Sequence, residues 1–231
     1  MTPATPGTGP ITPTDAFAVK DCALIAIATG RRAATLRELR DTLQQITTDS
    51  IYYHFWGSLL ISRFEEREYN NDFAAWARHG LHDACLAERL AVVDPTLFDS
   101  LDLLRQELID LIDERLDESE YLPWVRASQS FEFIRAQIVV FDTRKRIATP
   151  RELADLMPHL SPSSVFYHFI DARRRAPDRV DDFRPWLAHF QGACHDLSER
   201  LANIDPYFGS LTDLRAQLVA VFQHCLAGAE P

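Results

Sequence analysis

The chain has 231 residues, 34 of them acidic and 24 basic, a formal charge of −10 and an apolar fraction of 46%. That composition supports one large domain or two small ones, with a core that needs neither disulfides nor a metal. The negative balance disfavours a surface that tracks nucleic-acid phosphates, and no apolar run is long enough to span a bilayer.

Residues 1–14, rich in Thr, Pro and Gly, lack the basic and apolar regions of a secretory signal and read as a flexible tail. Phe17 to Ala28 is apolar and is expected to be a strand. Thr35 is placed to cap a helix, with Glu38 completing a capping box and Leu36, Leu39, Leu43 and Ile46 forming its buried stripe. Ser50 is the expected cap of a second helix that runs to about Phe64. Asn71 or Asp72 opens a third, carrying Phe73 and Trp76. Leu86 to Val92 reads as a short helix, Asp94-Pro95 as a break, and Leu101 to Leu116 as a long helix. Residues 117–130 contain Pro123 and Trp124, and the aromatic points to a docked linker.

The order then starts again. Thr35-Leu36-Arg37-Glu38-Leu39 through Ser50-Ile51-Tyr52-Tyr53-His54-Phe55 recurs as Thr149-Pro150-Arg151-Glu152-Leu153 through Ser164-Val165-Phe166-Tyr167-His168-Phe169, without a gap and at a constant offset of 114. Further on, Asp72-Phe73 and Trp76 match Asp182-Phe183 and Trp186 at an offset of 110. A second apolar segment, Phe131 to Phe141, is the counterpart strand. The expected fold is therefore α+β and mostly α. It has two pseudo-symmetric repeats, residues 15–116 and 131–228, each a short strand followed by four to five helices and packed about a pseudo-two-fold axis. Two such strands pairing would each hide the other's edge.

The repeated histidine is the leading candidate for chemistry. His54 and His168 fall on the apolar face of their helices, next to Tyr53 and Tyr167. If those helices face each other, the imidazoles converge on a ligand, with Arg63 and Arg173 supplying positive charge. The structural alternative is a buried imidazole bonded within its own repeat, to Asp72 or Asp182. Those two aspartates are themselves expected as helix N-caps. His79, His82 and Cys85 are zinc-capable, but their spacing spreads them round a helix and the second repeat does not copy them, so no metal site is expected. The run Arg173-Arg174-Arg175 is interspersed with acids and reads as a solvated face. Gly30 has Arg144 as its counterpart, which argues against a turn that requires glycine. The four cysteines, Cys22, Cys85, Cys194 and Cys225, show no CxxC spacing, so free thiols in a reducing cytoplasm are expected.

Leu36 to Phe55 resembles the helix-turn-helix of tetracycline-repressor-type regulators, yet the reading helix is aromatic and apolar rather than basic. That reading requires residues 47–58 to project outward. Over nearly its whole length beyond the tail, the chain also resembles an uncharacterised family of bacterial and archaeal proteins with two repeats. The resemblance rests on residues 28–33 (Ala-Thr-Gly-Arg-Arg-Ala), 50–55 (Ser-Ile-Tyr-Tyr-His-Phe), 71–76 (Asn-Asp-Phe-Ala-Ala-Trp) and 86–90 (Leu-Ala-Glu-Arg-Leu). It implies a shared two-unit fold and assigns no catalytic residues. The leading expectation is a non-enzymatic cytoplasmic binding or adaptor protein, without cofactor, whose partner is an unknown protein or, in a homodimer, a second copy of itself. The alternatives are a small-anion or metabolite site at the axis, binding or catalytic, and, last, a helix-turn-helix DNA-binding regulator.

Overall fold

The computed structural model describes residues 16–60, 68–190, 194–207 and 209–227. The expected tail and Arg63 lie outside the described residues. Strand β1 (Phe17–Thr35) is followed by α1 (Leu36–Leu43), α2 (Thr48–Trp56), α3 (Asp72–His79), α4 (Ala84–Ala91) and α5 (Leu101–Asp117). Strand β2 (Arg126–Ile147) is followed by α6 (Pro150–Leu156), α7 (Pro162–Val165), α8 (Ala172–Arg175), α9 (Phe183–Leu187), α10 (His195–Ala202) and α11 (Leu211–Ala227). Between α7 and α8 the chain winds as a π-helix over Phe166–Asp171. The α+β, mostly helical class holds, but the strands are not short: they run 19 and 22 residues. β1 turns polar and basic after Ala28, and β2 is polar before Phe131 and after Phe141, so apolar character marked only the start of the first strand and the middle of the second.

β1 and β2 form a two-stranded sheet. Thr29 Oγ1 donates to the Phe133 carbonyl at 2.7 Å, and Thr143 Oγ1 to that of Val19 at 2.5 Å. As numbers rise along one strand they fall along the other, so the pair is antiparallel.

The chain divides into two compact units. The amino-terminal unit comprises Ala23–Val139 and Tyr207–Ser210; the carboxy-terminal unit comprises the chain up to Cys22, Val140–Pro206 and Leu211 onward. In the amino-terminal unit, α1 to α5 surround a core that includes Leu39, Leu43, Ile51, Phe55, Phe73, Leu90, Leu104 and Leu108. In the carboxy-terminal unit the corresponding core includes Leu153, Val165, Phe169, Phe183, Leu201, Leu214 and Leu218. Each unit thus includes residues of both strands.

The capping devices match in the two units. Thr35 Oγ1 accepts from the Glu38 amide, and the Glu38 carboxylate accepts from the Ala34 amide. Thr149, Glu152 and Ala148 do the same. Arg105 donates to the Ile46 carbonyl at 3.0 Å, and Arg215 to the Leu160 carbonyl at 2.8 Å, each from a long helix onto the turn after a short one. The expected caps at Ser50 and Asp72 are corrected. Thr47 occupies the cap position of α2, and Asn71 caps α3 by accepting from the Ala74 amide at 2.9 Å. Asp182 sits at the cap position of α9 but makes no capping bond; Asp181 accepts from the Phe183 and Arg184 amides instead. Trp124 of the expected docked linker is 73% exposed, with Arg37 over its ring.

The reading of Gly30 is also corrected. Gly30 has φ 75° and Arg144, 114 residues on, has φ 63°, so both strands put a left-handed residue at this place. An arginine holds the conformation in one of them. Each follows the threonine that bonds across the sheet, and each threonine hydroxyl also accepts from the amide two residues on, Arg31 or Lys145. The geometry is that of a bulge that turns the strand before its helix.

Candidate functional site

His54 is 2% exposed and lies in a ring cage of Phe73, Phe131 and Phe133, with centroids 4.6 to 6.1 Å away. Its Nδ1 is 2.9 Å from Asp72 Oδ2, and its Nε2 is 3.2 Å from the Ile134 amide nitrogen. An amide can only donate, so Nε2 accepts and Nδ1 carries the hydrogen that goes to Asp72. One turn earlier, Ser50 Oγ donates to the Ile134 carbonyl at 2.7 Å. Both polar groups of one strand residue are therefore held by two side chains of α2.

His168 is equally buried and repeats the set. Nδ1 is 2.8 Å from Asp182 Oδ2, Nε2 accepts from the Lys20 amide at 2.9 Å, and Ser164 Oγ donates to the Lys20 carbonyl at 2.7 Å. Phe17 lies 4.9 Å from the imidazole, as Phe131 lies against His54. Lys20 and Ile134 are themselves 114 residues apart. The Ser-x-x-x-His pair thus acts as a substitute third strand over one residue of a sheet edge. A His–Asp pair resembles the base half of a catalytic triad, but here the Nε2 lone pair is spent on an amide and is not offered to a nucleophile or a metal.

Around His168 the charges are more elaborate. The fully buried Asp171 receives Arg174 Nε and Arg175 Nε, both at 2.9 Å. Arg175 also donates to the Tyr167 carbonyl and to Asp182, and its guanidinium lies 4.0 Å over the Tyr167 ring. Burial alone would raise the Asp182 carboxyl; the hydrogen bond from His168 and the charge and hydrogen bond of Arg175 outweigh it and hold it below its ordinary value. Burial, with Arg175 opposing, raises the Tyr167 phenol. Arg174 and Arg175 are therefore not a free solvated face.

Of the other predicted site residues, Tyr53 and Tyr167 are buried, each edge-on to the neighbouring histidine. Arg173 has its guanidinium 4.5 Å over the Phe169 ring. Its Nε and one Nη are buried without a hydrogen-bond partner among the described residues. Cys22, buried, donates to the Ser163 carbonyl, and burial with nearby Asp171 and Asp21 pushes its thiol up to about 12. His79 pairs with Glu68. Among the described residues no three His, Cys, Asp or Glu side chains are grouped to hold a metal. Sequence reasoning missed Ser50 and Ser164 as strand-holding residues and Asp171 as an ion-pair centre. The signal for the serines was present, since each stands four residues before the histidine in both copies.

The proposed reading helix does not project. Ser50 through Trp56 are all buried, with Phe55 at 0% and Tyr52 at 4%. What is exposed is the sheet. Ala23, Ile25, Ala26, Ala28, Arg31 and Arg32 of β1 are exposed in the amino-terminal unit, and Val140, Phe141, Arg144 and Lys145 of β2 in the carboxy-terminal unit. Ile25 is 45% and Phe141 52% accessible. The two strands carry eight basic and three acidic residues, a net +5, which leaves −15 on the rest of the chain.

The chain belongs to DUF5752, a family of unknown function whose model matches residues 14–223. No curated protein matches it in sequence. The solved structure of OrfY from Thermoproteus tenax is similar in fold, with a TM-score of 0.78, 24% identity, and coverage of 92% of this chain and 96% of that one.

Proposed function

We propose that this DUF5752 protein is a non-enzymatic cytoplasmic binding protein, built from two copies of one ancestral module, whose docking surface is the exposed part of its β-sheet. The observation that carries the reading is that exposed apolar side chains such as Ile25 stand beside cations, Arg31 and Arg32, that have no ion-pair partner among the described residues, on a sheet of two strands. A sheet of that size has two edges, and water-facing apolar residues on it are costly unless they are covered at least part of the time. The buried histidines support the same reading from the other side, because each spends Nε2 on a strand amide and Nδ1 on an aspartate. No helix of the described chain is long and apolar enough to cross a membrane.

Placing the photo-crosslinker p-benzoylphenylalanine at Ile25 and at Phe141, and irradiating in the native host, tests the reading. A discrete protein adduct from those positions, and none from the exposed Gln45 on the turn after α1, is the expected result. Equal labelling at all three positions rejects it.

A small-anion reading keeps one specific observation. Two buried N–H groups of Arg173 lack a partner among the described residues, and a phosphate or carboxylate oxygen would satisfy them. Inorganic phosphate should then raise the melting temperature of the wild type and not that of Arg173→Gln.

A further inference from the structure

The two His–Ser pairs mark which way the strand backbone points. Lys20 on β1 and Ile134 on β2 turn both N–H and C=O away from the opposite strand, toward α-helical side chains. Within the amino-terminal unit Thr29 lies against Phe133, so Ala28 stands opposite Ile134 and shares its outward direction, and the alternation runs back along β1 from there. Leu24, Ala26 and Ala28 of β1 therefore also face outward with both backbone groups. At Cys22 the outward amide is met by the neighbouring Asp21 carboxylate, and beyond Ala28 the bulge at Gly30 ends the run. Nothing comparable to Ser50 or His54 meets Leu24, Ala26 or Ala28 among the described residues. Ala26 and Ala28 are exposed, and their small side chains leave the edge open to approach.

Resting on the binding reading above, we propose that this edge, from Leu24 to Ala28, receives an extended acidic segment of a partner protein as a third strand. Main-chain bonds to Leu24, Ala26 and Ala28 supply the affinity, and Ile25 offers apolar contact on one face of the sheet. Arg31 and Arg32, exposed and without an ion-pair partner among the described residues, follow directly and take carboxylates of the incoming segment. Charge selects the occupant. A second copy of this chain would bring its own +5 strands to the same edge, and its acidic residues are concentrated in helices such as α5, which cannot extend a sheet. A nucleic acid would satisfy the arginines but offers no strand for the edge, and it would face the −15 carried elsewhere on the chain.

The test uses the full chain and a fluorescein-labelled octapeptide of alternating Glu and Val, followed by anisotropy at two salt concentrations. Saturable binding is expected, at least tenfold weaker for the Arg31→Glu/Arg32→Glu variant and for a Lys-Val peptide of the same length. The Glu-Val peptide with alternate backbone nitrogens methylated should also bind at least tenfold more weakly, which probes strand pairing without altering the protein. Absence of saturable binding, or equal affinity for the methylated or the Lys-Val peptide, overturns the proposal. So does competition by a single-stranded oligonucleotide at equal strength, or a dimer in native mass spectrometry that Arg31→Glu/Arg32→Glu dissociates. A crosslinked partner at position 25 that the Glu-Val peptide does not displace leaves the binding reading standing and removes the acidic segment.

Discussion

Lys20 gives its amide proton to His168 and accepts at its carbonyl from Ser164, although 148 residues separate it from the histidine. Both of its backbone groups are thus met by side chains one helical turn apart. Removing either side chain strands a part-buried polar group, which typically costs about 1–3 kcal/mol. His168→Phe, which keeps the ring in its cage, should lower stability by about 2 kcal/mol in urea unfolding, and Ser164→Ala by about 1 kcal/mol. Because both act on one strand residue, the double variant should lose less than the two losses combined. Full additivity would show that the pair does not act together.

Asp182 supplies a pH signature. Its folded-state pKa is lowered, so the carboxylate stabilises fully above the unfolded-state value of about 3.9 and loses that contribution as pH falls through the folded value. Asp182→Asn should therefore be less stable than the wild type at pH 7. The gap should narrow below about pH 4 and close at the acid end. Urea midpoints measured from pH 7 to pH 2 check this; a gap independent of pH would mean that the variant merely disturbs packing near Arg175.

Much of this was legible in the residues, and what was not has physical causes. Thr35 with Glu38 and the Leu36, Leu39, Leu43 stripe define α1 by local chemistry alone, so its position could be read directly. Asp72 was read as a cap because aspartate favours that place and precedes two core aromatics. Asn71, one residue earlier, caps instead and also donates to the Leu90 carbonyl. That frees Asp72 for His54, a choice made by tertiary contact that no local rule foresees. The strand lengths were missed because residues beyond Ala28 are polar, and a two-stranded sheet with solvent on it has no apolar pattern there to detect. The partners of the histidines were out of reach for the same reason: an amide 80 or 148 residues away leaves no trace in side-chain identity.

The thiols should separate cleanly by environment. Cys85 is exposed, whereas Cys22 and Cys194 are buried and Cys225 is partly covered. Burial raises Cys22 to about 12 and also raises Cys194 and Cys225, so little thiolate forms at pH 8. Ellman's reagent should find one fast thiol per native chain at pH 8, removed by Cys85→Ser, and four in urea. A fast reaction of Cys22 in the native protein would show that the strand holding it beside Ser163 opens readily.

Gly30 and Arg144 occupy equivalent bulges with the same sign of φ, yet only one is a glycine. At Gly30 an added Cβ would meet nothing within 4 Å, so any cost of Gly30→Ala is conformational rather than steric. That cost is about 1 kcal/mol for an L-residue held in the left-handed region. Arg144 already bears it, with its amide bonded to Asp142 and that carboxylate paired with Arg146. Arg144→Gly should therefore raise stability by a few tenths of a kcal/mol or more, after allowing for the extra freedom of glycine in the unfolded chain. Gly30→Ala should lower it. Opposite signs in paired denaturation curves are the diagnostic, because a local packing effect has no reason to reverse between the two copies. If both substitutions destabilise, the Arg144 side chain contributes more through its contacts than its backbone loses, and the two bulges are alike in shape only.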